Sequence, residues 1–250
     1  MQTTTDPLAL LVRNLALRAE LSEADRATVL ALPRTMRTVE AGTYLVREAD
    51  LPGVCAVLVA GFAFRSKLGG DGQRQIVSLH IPGDALDFQN LFLDVSDHNV
   101  QMLTRGEVAL IPRAVLQRLV RSNAGVGYAV LVKILVEASI FREWVLNVGR
   151  RDAKSRVAHL LCELAVRLEH EGLAAEYGHD LPMTQEQLGD AVGLTPVHVN
   201  RTLRVLESEG LISRTKRSIS FPDWGKLRRV ADFNQRYLHF AQQADELPAE

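Results

Sequence analysis

The chain has 250 residues, 47% of them hydrophobic and 24% charged, and 29 Lys and Arg against 30 Asp and Glu give a formal net charge of −1. That is the composition of a soluble globular protein with room for two modest domains, each burying its own core. Two cysteines, Cys55 and Cys162, exclude a disulfide framework. No apolar run reads as long enough to span a membrane, and Met1–Asp6 is polar and lacks a secretory hydrophobic region, so the expected location is the cytoplasm.

In chain order, two helices are expected around Leu8–Glu20 and Glu23–Leu32. Short apolar runs follow, TYLV, CAVLVA, FAFRS and RQIVSLHI, separated by turn signals such as Gly69-Gly70-Asp71-Gly72, and NVQML and EVALI come later. Closely spaced strands of this kind predict a barrel or sandwich. After Ile81-Pro82-Gly83-Asp84 comes a polar cluster, Asp87, Gln89, Asn90, Asp94, Asp97 and His98, which reads as a solvated loop in preference to a pocket lining.

Next, Leu131, Ile134, Ala138, Phe141, Val145 and Val148 recur at alternating steps of three and four, the a/d repeat of a coiled coil. One long helix, about Gly127–Val148, is expected to pair with its copy, although Tyr128, Leu135, Ile140 and Trp144 occupy its other faces. A hinge at Arg150–Asp152 and an amphipathic helix bearing Val157, Leu160, Leu161, Leu164 and Leu168 follow, with Cys162 packed in or beside that stripe.

The most specific segment is TQEQLGDAVGLTPVHVNRTLRVLESEG, Thr184–Gly210. Thr184 and Gln187 form a capping-box pattern, Gly193 suits the left-handed turn, Thr195 caps a second helix and Pro196 fits its first position. On the second helix Val199, Thr202, Leu203 and Leu206 fall on one side, and Val197, Asn200, Arg201 and Arg204 on the other. This is the layout of a helix-turn-helix that puts its second helix into a DNA major groove, in preference to an ordinary helical hairpin with a solvated polar face. Arg201 is the expected guanine reader through its bidentate fork, Asn200 a reader of adenine or phosphate, and His198 a contact to phosphate or a base edge. Arg214, Lys216 and Arg217 then sit at the tip of a two-stranded wing facing phosphate. Basic residues concentrate in the C-terminal half, and acidic ones such as Asp84, Asp87, Asp94 and Asp97 in the N-terminal half, so a near-zero net charge is compatible with DNA.

These residues, chiefly TQEQLGDAVGLTPVHVNRTLRVLESEGLI and more loosely IPGD, resemble the Crp/Fnr superfamily of bacterial transcription regulators. The resemblance runs from roughly Leu32 onward. It implies an α+β fold: an N-terminal double-stranded β-helix, cyclic-nucleotide-binding-like sensor barrel (1–122), a dimerisation helix (123–150) and a C-terminal winged helix-turn-helix (151–250). It also implies a homodimer on a palindromic operator with half-sites one turn apart, roughly 34–36 Å. RNA polymerase is the further partner of an activator, though no segment marks a surface for it.

Departures from the family pattern narrow the effector. Where cyclic-AMP-binding members carry Gly-Glu and then Arg-Ser or Arg-Thr, this chain offers Asp87-Phe88 and His98-Asn99, with Gln89 beside the first pair. Phenylalanine cannot accept from a ribose hydroxyl and neutral histidine is a poor phosphate fork, so cyclic AMP in the usual pose is not expected. Two cysteines cannot supply the roughly four thiolates of an iron–sulfur cluster. Haem through His80 or His98 stays open. An enzyme would need a metal site such as His80, Asp84 and His98, which lack the tight spacing of the metal-dependent oxygenases, so no catalysis is expected. The competing reading is a DNA-binding regulator with a degenerate, ligand-independent barrel. In the reading helix, Val197 stands where many members have glutamate and Asn200 where they have glycine or serine, which predicts a different base pair in the half-site. Neither the effector, the operator, the target genes nor the sign of regulation is encoded legibly.

Overall fold

The computed structural model describes residues 6–174, 178–215 and 218–240. Two short helices, α1 (Ala9–Ala16) and α2 (Glu23–Leu30), come first, α2 opening on a Ser22–Asp25 capping box. Seven strands follow: β1 (Thr35–Val39), β2 (Tyr44–Val46), β3 (Val54–Ala60), β4 (Ala63–Leu68), β5 (Arg74–His80), β6 (Asn99–Met102) and β7 (Gly106–Pro112). They form two antiparallel sheets, β1-β7-β3 and β2-β6-β4-β5. Inward residues of both sheets, among them Val39, Val46, Leu58, Val100, Met102 and Val108, share one buried cluster. Strand β1, which the sequence reading missed, pairs with β7 although four of its five residues are exposed. Gly106 is required where β7 starts, since a Cβ there would lie 2.1 Å from the Ala60 carbonyl oxygen.

Helix α3 (Arg113–Ser122) leads into α4 (Ala124–Arg150), whose first turn is capped by Asn123. At 27 residues α4 is, contrary to the sequence expectation, long and apolar enough to cross a bilayer by length and composition. Its apolarity has two causes. One face, including Val126, Val130, Val136, Ile140 and Trp144, is buried within the chain. The other exposes Tyr128, Leu131, Leu135, Phe141, Val145 and Leu146.

The chain breaks at Arg151–Asp152, and Asp152 caps α5 (Ala153–His170). Val157, Leu160, Leu161, Cys162, Leu164 and Leu168 are all buried in α5, as the amphipathic pattern predicts. Then come β8 (Gly178–Asp180), α6 (Gln185–Val192), α7 (Pro196–Ser208), β9 (Ser213–Arg214), β10 (Ser218–Ser220) and α8 (Trp224–Val230). The wing sheet has the order β8-β10-β9, so it is three-stranded among the described residues, not two-stranded. The third strand comes from before the helix pair, too short to show a periodicity of its own. Lys216 and Arg217, the expected wing tip, lie outside the described residues.

The C-terminal unit packs on the barrel. Arg74 of β5 pairs with Asp190 of α6 at 2.6 Å, and Gln75 donates to the Asp190 and Ala191 carbonyls at 2.7 and 3.3 Å. Beneath them lies a buried polar hub. Asp84 accepts from Lys133 Nζ of α4 at 2.7 Å, Arg167 Nη2 of α5 at 2.9 Å, the Ile81 amide at 3.0 Å and Asn14 Nδ2 of α1 at 3.3 Å. Burial alone would raise this carboxyl, but Lys133 and Arg167 outweigh it and hold it well below the usual carboxylate range. Glu163 continues the network, accepting from Trp144 Nε1 at 3.0 Å, Tyr237 Oη at 2.9 Å and Arg167 Nη1 at 3.4 Å.

Candidate DNA-reading face and effector cavity

Helix α6 opens on the expected box: Thr184 Oγ1 accepts from the Gln187 amide at 3.2 Å and Gln187 Oε1 accepts from the Thr184 amide at 2.9 Å. It stops at Gly193, in the left-handed region at φ 66°. Thr195 Oγ1 then accepts from the His198 amide at 3.3 Å, with Pro196 in the first turn. Val199, Thr202, Leu203 and Leu206 are buried, while Val197, His198, Arg201 and Arg204 are exposed, Val197 at 79%. The exposed start of α7 presents the positive end of the helix dipole, which favours phosphate, although Pro196 has no N–H and Thr195 already takes the His198 amide.

Two expected contacts are differently placed. Asn200 is half-buried and its amide donates to Gln185 Oε1 of α6 at 3.1 Å, so it serves to fix α7 on α6 instead of standing out for a base. Arg214 turns back to Glu207 of α7 at 2.6 Å, a pair that holds the Glu207 carboxyl below its ordinary value through the hydrogen bond.

On α4 the expected seam is split. Leu131, Ala138, Phe141 and Val145 are exposed, but Ile134 and Val148 are half-buried against their own chain. Tyr128, Leu131, Leu135, Ala138, Arg142 and Val145 continue the exposed three-and-four spacing. A strip chosen by apolarity alone therefore mixes this line with the flank that packs on the barrel.

Between β4, β5 and α4 lies a cavity of about 310 Å³. Its charged lining is Arg65, Lys67, Lys133 and Arg167 against Asp84, Asp97 and Glu137, with apolar walls from Val77, Ile140 and Phe141. Of the five residues expected to hold a ligand, Gln89 and His98 line it. Asp87 adjoins it, 3.6 Å from His98 Nε2. Phe88 is 1% exposed in the apolar core, and Asn99 is buried with its Oδ1 accepting from the Glu48 amide at 3.1 Å. The solvated-loop reading holds for Asp94 and Asp97 but is overturned for Asp87, Asn90 and His98, each under 5% exposed. Burial lowers the His98 pKa, helped by Arg65, so the ring is neutral. Burial raises the Asp87 carboxyl from 3.8 to about 7, with Arg65 opposing and Glu137 and Asp97 adding.

The sequence reading passed over Arg65, Ser78, Lys133 and Glu137. The available signal was Lys133, a cation set in the apolar run Val130–Val136. The metal alternative built on His80, Asp84 and His98 fails on geometry: His80 Nδ1 is 3.8 Å from Asp84, and two cations already hold that carboxylate. Among the described residues no group of three His, Cys, Asp or Glu side chains could hold a metal ion.

Comparison with known proteins accords with this geometry. Residues 155–230 match the model of a Crp-like helix-turn-helix domain, and residues 36–123 that of a cyclic nucleotide-binding domain. The transcriptional activatory protein AadR of Rhodopseudomonas palustris is 31% identical over 208 residues, 80% of this chain and 82% of that protein. The transcriptional activator protein FnrL of Cereibacter sphaeroides is 28% identical over 224 residues, 88% of this chain and 89% of that protein. The structure of FixK2 from Bradyrhizobium japonicum superposes with a TM-score of 0.73 at 25% identity, covering 80% of this chain and 98% of that one. The residues present do not offer cyclic AMP its usual pose, because Phe88 lies in the core and His98, its pKa lowered by burial, is a poor phosphate fork. The chain belongs to the Crp/Fnr superfamily of DNA-binding transcription regulators, not enzymes.

Proposed function

We propose that this regulator works in the cytoplasm as a homodimer on an inverted-repeat operator, and that a signal other than cyclic AMP acts at its barrel. The division of labour is a sensor over residues 1–122, a dimerisation helix over 123–150 and a DNA-binding unit over 151–250. The observation that carries this reading is the exposed face of α7, on which Arg201 and Arg204 stand clear of the core behind a capped, dipole-positive helix start. In this proposal Arg201 reads guanine, the His198 side chain contacts phosphate at the helix start set by Thr195 and Pro196, Arg204 contacts the backbone, and Thr184 sets the angle of α6. Exposed Val197 abuts a base edge, and thymine methyl is its natural partner. Lys216 and Arg217 bring the wing to phosphate, while Arg214, paired with Glu207, ties the wing to α7.

The dimer seam in this proposal is Tyr128, Leu131, Leu135, Ala138 and Val145, with Phe141 on its flank. Leu135→Glu is expected to give a monomer by sedimentation and to abolish inverted-repeat binding. A second reading, a ligand-independent barrel, is favoured by one observation: Arg65 Nη2 donates to the Leu86 carbonyl at 2.9 Å while Nη1 meets Glu137 of α4 at 3.5 Å, so barrel and helix are joined without a ligand. If the regulator activates, RNA polymerase is its further partner.

Selection of bound sequences from a random DNA library by the purified protein, without added small molecules, tests the reading. An enriched inverted repeat supports the reading head and dimer together. A folded dimer that enriches nothing shifts the search to an effector, and enrichment of single half-sites by a monomer overturns the dimer.

A further inference from the structure

The cavity between β4, β5 and α4 carries a pattern of free donors and acceptors. Four cations face three carboxylates in its lining. Asp84 already accepts from four donors, so its charge is fully engaged inside the hub. Lys133 reaches the hub through one hydrogen bond, to Asp84, and an ammonium has three N–H donors. Opposite it, the Arg65 Nε donor is buried and has no hydrogen-bond partner among the described residues.

Free acceptors face the same space. Glu137, one turn beyond Lys133 on α4, uses Oε2 for Arg65 and leaves Oε1 buried without a partner among the described residues. His80 is 2% exposed and its Nε2 is likewise unpartnered there, while Nδ1 is the nitrogen nearest Asp84. Buried polar atoms left in this state cost about 1–3 kcal/mol each, so a molecule that satisfies several at once is strongly favoured over an empty or apolar filling. A volume of about 310 Å³ stands at the small end of ligand clefts, roughly 300–1,000 Å³.

We propose that this cavity binds a small amino- or hydroxy-carboxylate. Its carboxylate takes the free donors of Arg65 and Lys133, and its amine or hydroxyl donates to Glu137 or His80. Lys67 is already paired with Glu48 and Arg167 with Asp84 and Glu163, so the donors left for a carboxylate are those of Arg65 and Lys133, and the two acceptors call for a donor that acetate lacks. The inference rests on the reading of the barrel as the sensor, and it replaces the nucleotide that the barrel's family description implies.

The test is calorimetric titration and thermal melting of the full chain with L-serine, L-glutamate and L-lactate, beside acetate, inorganic phosphate and cyclic AMP. At least one of the first three is expected to bind one per chain and raise Tm. Arg65→Leu is expected to weaken it by roughly tenfold or more, the scale of one lost hydrogen bond to a charged group. If that variant fails to fold, Arg65→Lys and Glu137→Gln serve instead. The latter is expected to weaken the amine- or hydroxyl-bearing ligand relative to acetate, which loses no donor contact there. Cyclic AMP or phosphate binding more tightly than every carboxylate overturns the proposal, and so does the absence of any carboxylate-induced shift at millimolar concentration. The same samples are assayed on the selected DNA. Intact operator binding with no carboxylate binding removes this inference alone, whereas loss of operator binding in every sample removes the regulator reading beneath it.

Discussion

The helix-turn-helix and the barrel cavity are specified in opposite ways. The caps and the turn that set the reading face lie within the 27 residues of Thr184–Gly210: each cap is satisfied by a residue three positions on, and the turn by one left-handed glycine. The cavity instead gathers Arg65, His80, His98, Lys133, Glu137 and Arg167 from separate segments. Local hydrogen bonding builds the first, and long-range packing builds the second. The two are joined directly where Arg74 and Gln75 of β5 hold α6, and through α5, whose Arg167 reaches the hub at Asp84.

Breaking that meeting point is expected to have the largest effect. Asp84→Ala leaves Lys133 and Arg167 buried without their counter-charge, which costs about 3–5 kcal/mol; urea unfolding should register it, and a loss below about 1 kcal/mol would mean that the hub is wet. On the reading side, Arg201→Ala is expected to remove about 1–3 kcal/mol of discrimination at one base pair of each half-site while leaving the dimer and the melting temperature intact. Unchanged selectivity in a binding titration would take Arg201 out of its role. Thr195→Ala, which deletes only the cap of α7, should destabilise by about 1 kcal/mol; a much larger loss would show that the reading helix depends on distant packing as the cavity does.

A pH-dependent effect sharpens the cavity side. Asp87 holds its proton more tightly folded than unfolded, 3.8 against about 7, so its contribution to stability is present at low pH and declines as pH rises through that window. His159, lowered to about 4 by burial, acts in the opposite sense, its contribution growing as pH rises from about 4 towards 6.5. Asp87→Asn is therefore expected to make the slope of stability against pH more positive between about 4 and 7. An unaltered slope would mean that the carboxyl is solvated in spite of its burial.

Several sequence expectations held because they depend on short-range regularities. The split of α7 into Val199, Thr202, Leu203 and Leu206 against Val197, Arg201 and Arg204 follows from a period of 3.6 residues, and the caps follow from side chains that reach only their own turn. Others failed where the pattern was right and the partner was not visible. Ile134 and Leu135 are equally apolar neighbours, yet one packs on the barrel and the other is exposed, which no hydropathy pattern on α4 can distinguish. Asp87 and Asn90 looked like a polar loop because their burial depends on β3, α3 and α4, which pack from elsewhere in the chain onto the turn at Phe88–Leu91.

By itself, then, the sequence determined the class of protein, the capped helix pair and the long apolar helix, since each is set by interactions within a few residues of one another. Only the tertiary structure decided which face of α4 is left open, that Asn200 and Arg214 are turned inward, and that Asp84, Lys133 and Arg167 converge. Burying a charge is tolerable only beside its partner, and here those partners lie 49 and 83 residues away along the chain.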